Sequence, residues 1–572
     1  MTIDDRSSTR ARGRRRWLGL ALAGAIAATM AATAPLAEAQ SSTTSAGTTT
    51  VQVLGLNDFH GNLDPPTGSS GLVEGTAAGG AQFLATHVNR LEDAHAGPSI
   101  VVSAGDLVGA SPLLSALFHD EPTVEAMNRI GLDVNGVGNH EFDEGATELL
   151  RMQNGGCHPV DGCIDGTGFG GAEFEFLAAN VVNHETGQPL FAPFTVRHLG
   201  DVDVAFIGMT LQDTPTIVDS AGIRGWDFLD EAETANALVP VLKGMGVETI
   251  VVLLHEGGFP TGGYNSCPGI SGPIVDIVNH FDDEIDAVIS GHTHTAYNCV
   301  IDGRPVTSAA SFGRIITDLD LTIDNATNEV VSVSAVNRIV TRDVRPSTAV
   351  VKLVDRYRAI AAPLANRPIG SITANITRAQ NAAGESALGD VIADAQLAST
   401  DGADEGGAIA AFMNPGGIRA DLTYASSPAG EGDGVVTYGE AFTVQPFGNT
   451  LTTLTLTGSQ IDTMLEQQWC GQVSPRILQV SNGFTYSWSA SAPACNRVDA
   501  STIAVNGVAI DPSASYRVTV NSFLAGGGDG FTVLNQGTNR LGGLVDVDSF
   551  EDHLVANSPV APGPQNRITL VP

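Results

Sequence analysis

The strongest constraint on this chain is a set of five short β-rich runs, each giving way to Gly, Asp, Asn or His. They are VQVLGL (51–56), SIVVSAG (99–105), DVAFIGMT (203–210), TIVVLLH (249–255) and DAVISG (286–291). Helical or loop stretches such as AQFLATHVNRLEDA lie between them. Strands alternating with helices predict an α/β domain with layered sheets. In open sheets of that class ligands gather at the carboxyl ends of strands, so the chemistry is expected where these runs end.

The endings hold a consistent set of side chains: Asp58 and His60 in GLNDFHG, Asp106 in SAGDLVGAS, Asn139, His140 and Asp143 in GVGNHEFDEG, His255 in LLHEGG, and His292 and His294 in SGHTHT. Taken singly, each has a bland reading, since an Asp-x-His on a turn serves as a cap and a lone His after a strand packs in the core. Together they offer oxygen and imidazole ligands from five strand ends, enough for two divalent ions. The chain has neither a GxSxG elbow nor a Walker-type GxxxxGK[ST], which weakens acyl-hydrolase and ATPase readings.

The succession DxH, GD, GNHE, H and GHTH resembles the signature of the calcineurin-like metallophosphoesterases. Farther along, NPGGIR and GGGDGF narrow the resemblance to the exported bacterial 5'-nucleotidase and 2',3'-cyclic-nucleotide phosphodiesterase family. That resemblance implies an N-terminal four-layer β-sandwich flanked by helices, a linker helix, and a C-terminal α/β substrate-specificity domain. It places one ion on Asp58, His60, Asp106 and His294, and a second on Asp106, Asn139, His255 and His292, with Asp106 as bridge and zinc or manganese as the expected metals. His140 would face the phosphate and be held by Asp143. Phe447 and Phe523 would clamp the base, Asp529 would accept from the ribose hydroxyls, and Asn414 and Arg419 would hold the base or phosphate side.

The sequence departs from the family's pattern at one helix, which begins GESALGDVIADA. Ala382 stands where a phosphate-binding Arg is expected, and Asp390 where Asn is usual. Arg378, four residues before Ala382, is the candidate replacement.

The expected domains are 49–345 for the phosphoesterase, 346–367 for a linker helix and 368–572 for the substrate domain. The helix is read over about 349–364, capped by Ser347 or Thr348 and stopped by Pro368. Residues 1–39 read as an export signal, with Arg12, Arg14, Arg15 and Arg16 ahead of an apolar run from Trp17 and Ala37-Glu38-Ala39 offering a cleavage pattern. Sec and twin-arginine routes are not distinguished. A polar linker, 40–48, follows, and no carboxy-terminal anchor is expected. Six cysteines in an exported chain imply disulfides; they allow 15 connectivities, among which Cys157–Cys163, Cys267–Cys299 and Cys470–Cys495 join near neighbours.

The formal charge is -35 and there are two lysines, Lys243 and Lys352. Polyanions are bound mainly through Lys and Arg, so a nucleic-acid polymer is not the expected partner, nor is membrane insertion of the mature chain. The expectation is a secreted or wall-associated hydrolase that removes phosphate from nucleoside 5'-monophosphates, extending to 2',3'-cyclic nucleotides. Alternatives are a nucleotide-sugar or dinucleotide diphosphatase, and a binding or adhesion protein on the same scaffold. Oligomeric state is not readable.

Overall fold

The computed structural model describes residues 47–218, 222–425, 427 and 430–572. The export signal read over 1–39 and nearly all of the polar linker lie outside the described residues.

Two six-stranded mixed sheets form the centre of the N-terminal half. In the first, Thr48–Leu56, Ser99–Ser103, Val134–Gly136 and Glu175–Leu177 run parallel, with Ile315–Asp324 and Val330–Ile339 added antiparallel. In the second, Val202–Thr210, Thr249–His255, Ala287–Ser290 and Arg304–Ala309 are parallel, and Phe194–Leu199 and Ala296–Ile301 close the edges antiparallel.

Alternate side chains along each central strand belong to different cores, as a period of two requires. Val51, Val53, Ile100 and Val102 pack against Val204, Phe206, Val251, Leu253 and Ile289 between the sheets. Leu54, Leu56 and Val101 face the helical layer that contains Ala81–Ala94, Glu121–Ile130 and Thr348–Ala365. On the far side, Ala205, Ile207, Ile250 and Val252 pack under Glu231–Gly244 and Pro273–Asn279. The order is therefore helix, sheet, sheet, helix, the four layers that the motifs implied. Burial on both faces explains why these strands read as unbroken apolar runs. Between the sheets Gly136 and Gly208 face each other, and a Cβ on Gly208 would lie 2.5 Å from that of Leu177.

Strand register sets the endings level. Leu56 pairs with Ser103, Ser103 with Asn135, Leu254 with Ser290, and His255 with Thr210. The loops that follow therefore leave both sheets at one edge.

The helix Thr348–Ala365 buries Val350, Leu353, Val354, Tyr357 and Ala361 in the first helical layer. Beyond it, a five-stranded sheet (Gln479–Val480, Ala410–Met413, Ser515–Asn521, Thr450–Thr457, Thr538–Val545) carries Ala387–Ala398 and Asp546–Asn557, and a four-stranded sheet lies beside it. The near-neighbour cysteines are bonded: Cys157–Cys163, Cys267–Cys299 and Cys470–Cys495. No helix among the described residues is long and apolar enough to cross a membrane.

Asp390, the residue standing where Asn is usual, is buried on Ala387–Ala398 beside Glu385 and Arg567. Burial pushes its pKa up to about 8, with Glu385 adding to the rise against the opposing Arg567. In the unfolded chain the group titrates near ~4. Between these values the folded state holds a proton that the unfolded state releases, so stability falls as pH rises from about 4 to about 8. Asp390→Asn is expected to flatten that fall and to gain roughly 1–3 kcal/mol at pH 7, measured by urea unfolding of both proteins across the pH range.

Candidate functional site

At the shared edge, Asp58, His60 and His294 bring their ligating atoms within 4.8 Å of one another, as do Asp106, His255 and His292. Five of these six residues, Asp58, His60, Asp106, His292 and His294, hold left-handed backbone with φ between 46° and 70°. Such strain in non-glycine residues persists where the surroundings over-determine it, commonly at functional sites. Here it turns side chains from separate strand ends toward one point.

Asp106 lies between the two groups. Its Oδ2 is 3.0 Å from His255 Nε2 and 3.5 Å from His60 Nε2, while Oδ1 accepts the backbone N–H of His140 at 2.8 Å. Gly138 leaves room for this, because a Cβ there would come within 2.2 Å of Asp106 Oδ1. Asp58 accepts from Asn57 Nδ2 and from the backbone N–H of His292, and lies 3.3 Å from His294 Nε2. Asn139 Oδ1 is 3.0 Å from His292 Nδ1.

The protonation pattern suits cations. His60 Nδ1 faces the Gly109 carbonyl at 2.9 Å and His255 Nδ1 that of Ala104 at 2.6 Å, so each Nδ1 carries a hydrogen and, in the neutral ring, Nε2 is a bare lone pair. His60 Nε2 and His255 Nε2 face Asp106 Oδ2, and His60 Nε2 also meets His294 Nε2 at 3.0 Å. The buried Nε2 of His255 makes no aligned hydrogen bond. Burial pushes His60 well below its ordinary pKa and His292 down to about 3, and lowers His294 as well, leaving three neutral ligand-ready rings. Burial also opposes ionising Asp58 and Asp106, yet His294 and His255 outweigh it and hold both carboxyls below the usual range. Burial disfavours a charged His255, but Asp106, Asp58 and Glu141 override it and push its pKa up to about 10. The carboxylates outnumber the charged rings here, and a divalent ion at each group would make up the balance. The donor set of imidazole, carboxylate and amide oxygen fits two such ions.

Glu141, a residue the motif contains but sequence reasoning left without a role, fastens this arrangement. Its buried carboxylate accepts the backbone N–H groups of Asp106 (2.8 Å), Leu107 (2.9 Å) and Gly138 (2.7 Å), and Asn135 Nδ2 at 3.2 Å. Its place directly after His140 in GNHE was the available signal.

His140 Nδ1 lies 3.0 Å from both oxygens of Asp143, whose Oδ2 also accepts from the Ala110 N–H. Burial opposes its charged form, but Asp143 and Asp106 prevail and its pKa is raised. The ring stacks on Phe447 with centroids 5.7 Å apart, and Arg419 lies over the same Phe447 ring at 5.7 Å. A cavity of about 580 Å³ opens from Asn139, His140, Asp143 and His292 onto Asn414, Arg419, Phe447, Phe523 and Asp529. Arg378 lies beside this cavity, across Pro415 and Pro475, which line both it and the next. It lines an adjoining cavity of about 410 Å³ with Gln380, Ser386 and Asp421, and donates to the Ile418 carbonyl. Two further features of the main cavity went unread in the sequence: Arg476, and the loop Pro215–Val218 from the N-terminal half.

Comparison with known proteins agrees with this architecture. Residues 51–296 match the calcineurin-like phosphoesterases and residues 368–536 the 5'-nucleotidase C-terminal domain. The chain is 32% identical over 538 residues to cell wall protein Lmo0130 of Listeria monocytogenes, covering 89% of this chain and 67% of that protein. It belongs to the calcineurin-like phosphoesterases that carry a 5'-nucleotidase C-terminal domain. By class it is therefore a metal-dependent phosphoester hydrolase. Endonuclease YhcR of Bacillus subtilis is also 32% identical, over 531 residues; the match takes in 91% of this chain but 41% of that longer protein. Among solved structures, a 5'-nucleotidase precursor from Thermus thermophilus superposes with a TM-score of 0.74 at 29% identity, covering 91% of this chain and 99% of that one. This phosphoesterase thus shares both halves of its fold with a 5'-nucleotidase.

Glu141→Gln places an N–H where backbone donors need an acceptor. It is expected to weaken metal affinity about 10–100-fold, as loss of an outer-shell partner does, measured by metal titration of the stripped protein; unchanged affinity would show that the Asp106 loop holds itself.

Proposed function

We propose that this chain removes the phosphate from nucleoside 5'-monophosphates, using two divalent ions, and that its pocket also admits 2',3'-cyclic nucleotides. One ion would be held by Asp58, His60, Asp106 and His294, and the other by Asp106, Asn139, His255 and His292. Zinc or manganese suits this mixture of nitrogen and oxygen donors. When bound, the pair supplies Lewis acidity that activates water and neutralises phosphoryl charge.

The chain's own side chains would do the rest. His140, kept charged by Asp143, stabilises negative charge growing on the phosphoryl oxygens and can give a proton toward the leaving oxygen. Arg419 adds a second positive group beside Phe447. Phe447 and Phe523 grip the base by stacking, which tolerates every base, and Asp529 with Asn414 receives the sugar hydroxyls. The observation that carries this reading is the single cavity linking His140 and Asp143 to both phenylalanines and to Asp529. An extracellular or envelope location is supported by the three disulfides and by the Listeria relative being a cell wall protein.

The test is a panel of AMP, 2',3'-cyclic AMP, UDP-glucose, single-stranded DNA and a small aryl phosphate. AMP is expected to lead. Phe447→Ala and Phe523→Ala should each cost about 1–3 kcal/mol in kcat/KM on AMP and much less on the aryl phosphate, which needs no clamp. Equal losses on both substrates would make the two rings core residues and sink the nucleotide assignment.

A further inference from the structure

The sugar end of the cavity carries a charge that the proposed reaction does not use. Arg476 lies on the segment after Cys470, which the Cys470–Cys495 disulfide and a Leu478 N–H to Gln468 Oε1 bond hold in place. Its Nη1 donates to Asp529 Oδ1 at 2.5 Å, while Asn414 Nδ2 donates to Asp529 Oδ2 at 2.8 Å and Asn521 Nδ2 to Asn414 Oδ1 at 2.9 Å. Gln472 Nε2 secures the same turn through the Asp529 carbonyl at 2.7 Å. Asn414 and Gln472 already orient Asp529, so a guanidinium is not needed for that alone.

Arg476 lines the cavity and its side chain is 32% exposed. Among the described residues, its guanidinium hydrogen-bonds only Asp529. A guanidinium has five N–H donors in a planar fork matched to phosphate oxygens, so donors beyond the one spent on Asp529 are left for a ligand in the cavity that Arg476 lines. Asp529 and Arg476 together form a neutral pair with spare donors. An acid alone at this position would repel an anion; the pair accepts one.

We infer that Arg476 is a specificity-determining residue that forms an anion subsite at the sugar end, for a 5'-nucleotide bearing a second phosphate on its ribose 3' oxygen. This rests on the nucleotide reading above, which places the sugar at Asp529. The reaction stays the same: the bond between phosphorus and the 5' oxygen breaks, water oxygen bonds to phosphorus, and a proton passes to the 5' oxygen, giving a nucleoside 3'-phosphate and inorganic phosphate. The second phosphate could belong to a free nucleoside 3',5'-bisphosphate or be the first internucleotide phosphate of a 5'-phosphorylated strand.

The experiment measures 5'-phosphate release from AMP, adenosine 3',5'-bisphosphate and a 5'-phosphorylated adenylyl dinucleotide by the metal-loaded full chain. The wild type is expected to prefer the bisphosphate over AMP by about tenfold in kcat/KM. Arg476→Gln keeps an N–H for Asp529 but removes the charge; it should abolish the preference, chiefly through KM, with AMP falling about threefold or less, and Arg476→Lys should restore part of it. Dinucleotide turnover close to that of the bisphosphate assigns the subsite to strand ends, and much slower turnover assigns it to free bisphosphates, either supporting the subsite. Equal wild-type rates on AMP and the bisphosphate, or equal losses on both in Arg476→Gln, would overturn it and leave Arg476 as a positioning residue. A wild type that turns over no AMP would overturn the nucleotide reading itself, and the subsite with it.

Discussion

Everything at the catalytic edge depends on the carboxylate of Asp106. It lies between two groups of ligating side chains, each drawn from the strand ends of both sheets, reaching His60 on one side and His255 on the other. A carboxylate buried as deeply as this one is tolerable only with positive charge nearby, which His255 gives in part and bound cations would complete. The fold serves that requirement. Register brings the strand ends level, the Gly136–Gly208 contact lets the sheets approach, Gly138 yields space beside Asp106, and Glu141 ties down the loops that carry Asp106 and Gly138.

The same arrangement explains how a chain of formal charge -35 can receive an anionic substrate. The net figure describes the surface as a whole, whereas recognition depends on the local field in the cleft. There, two ions, a charged His140 and Arg419 would face the incoming phosphate and Arg476 the sugar end, with Asp143 paired to His140 and Asp529 to Arg476. The aromatic rings of Phe447 and Phe523, which line the same cavity, would supply affinity that is indifferent to charge.

The central strands were legible because both their faces are buried, giving continuous apolar runs, and the strand-end residues because ligand chemistry restricts each position to a few residue types. Edge strands such as Phe194–Leu199 were not, since FTVRHL is only partly buried and carries mixed polarity. Asp143 could equally have been a helix cap; only the fold shows it holding His140 and the Ala110 N–H. Glu141 was in plain view, but its role lies in three backbone donors that no side-chain pattern reveals. Arg476 and Asp529 are 53 residues apart, a pairing that only the folded chain brings about. Arg378 illustrates the converse: its place in the sequence suggested a substrate contact, and the fold sets it in the neighbouring cavity, where its charge adds to the burial that lowers the pKa of Arg419.

The most direct test of the account is anomalous diffraction from crystals of the mature chain grown with Mn²⁺. It predicts two peaks roughly 3.5–4 Å apart, one beside Asp58, His60 and His294, the other beside Asn139, His255 and His292, with Asp106 between them. A single peak, or none at these side chains in an active protein, would contradict it.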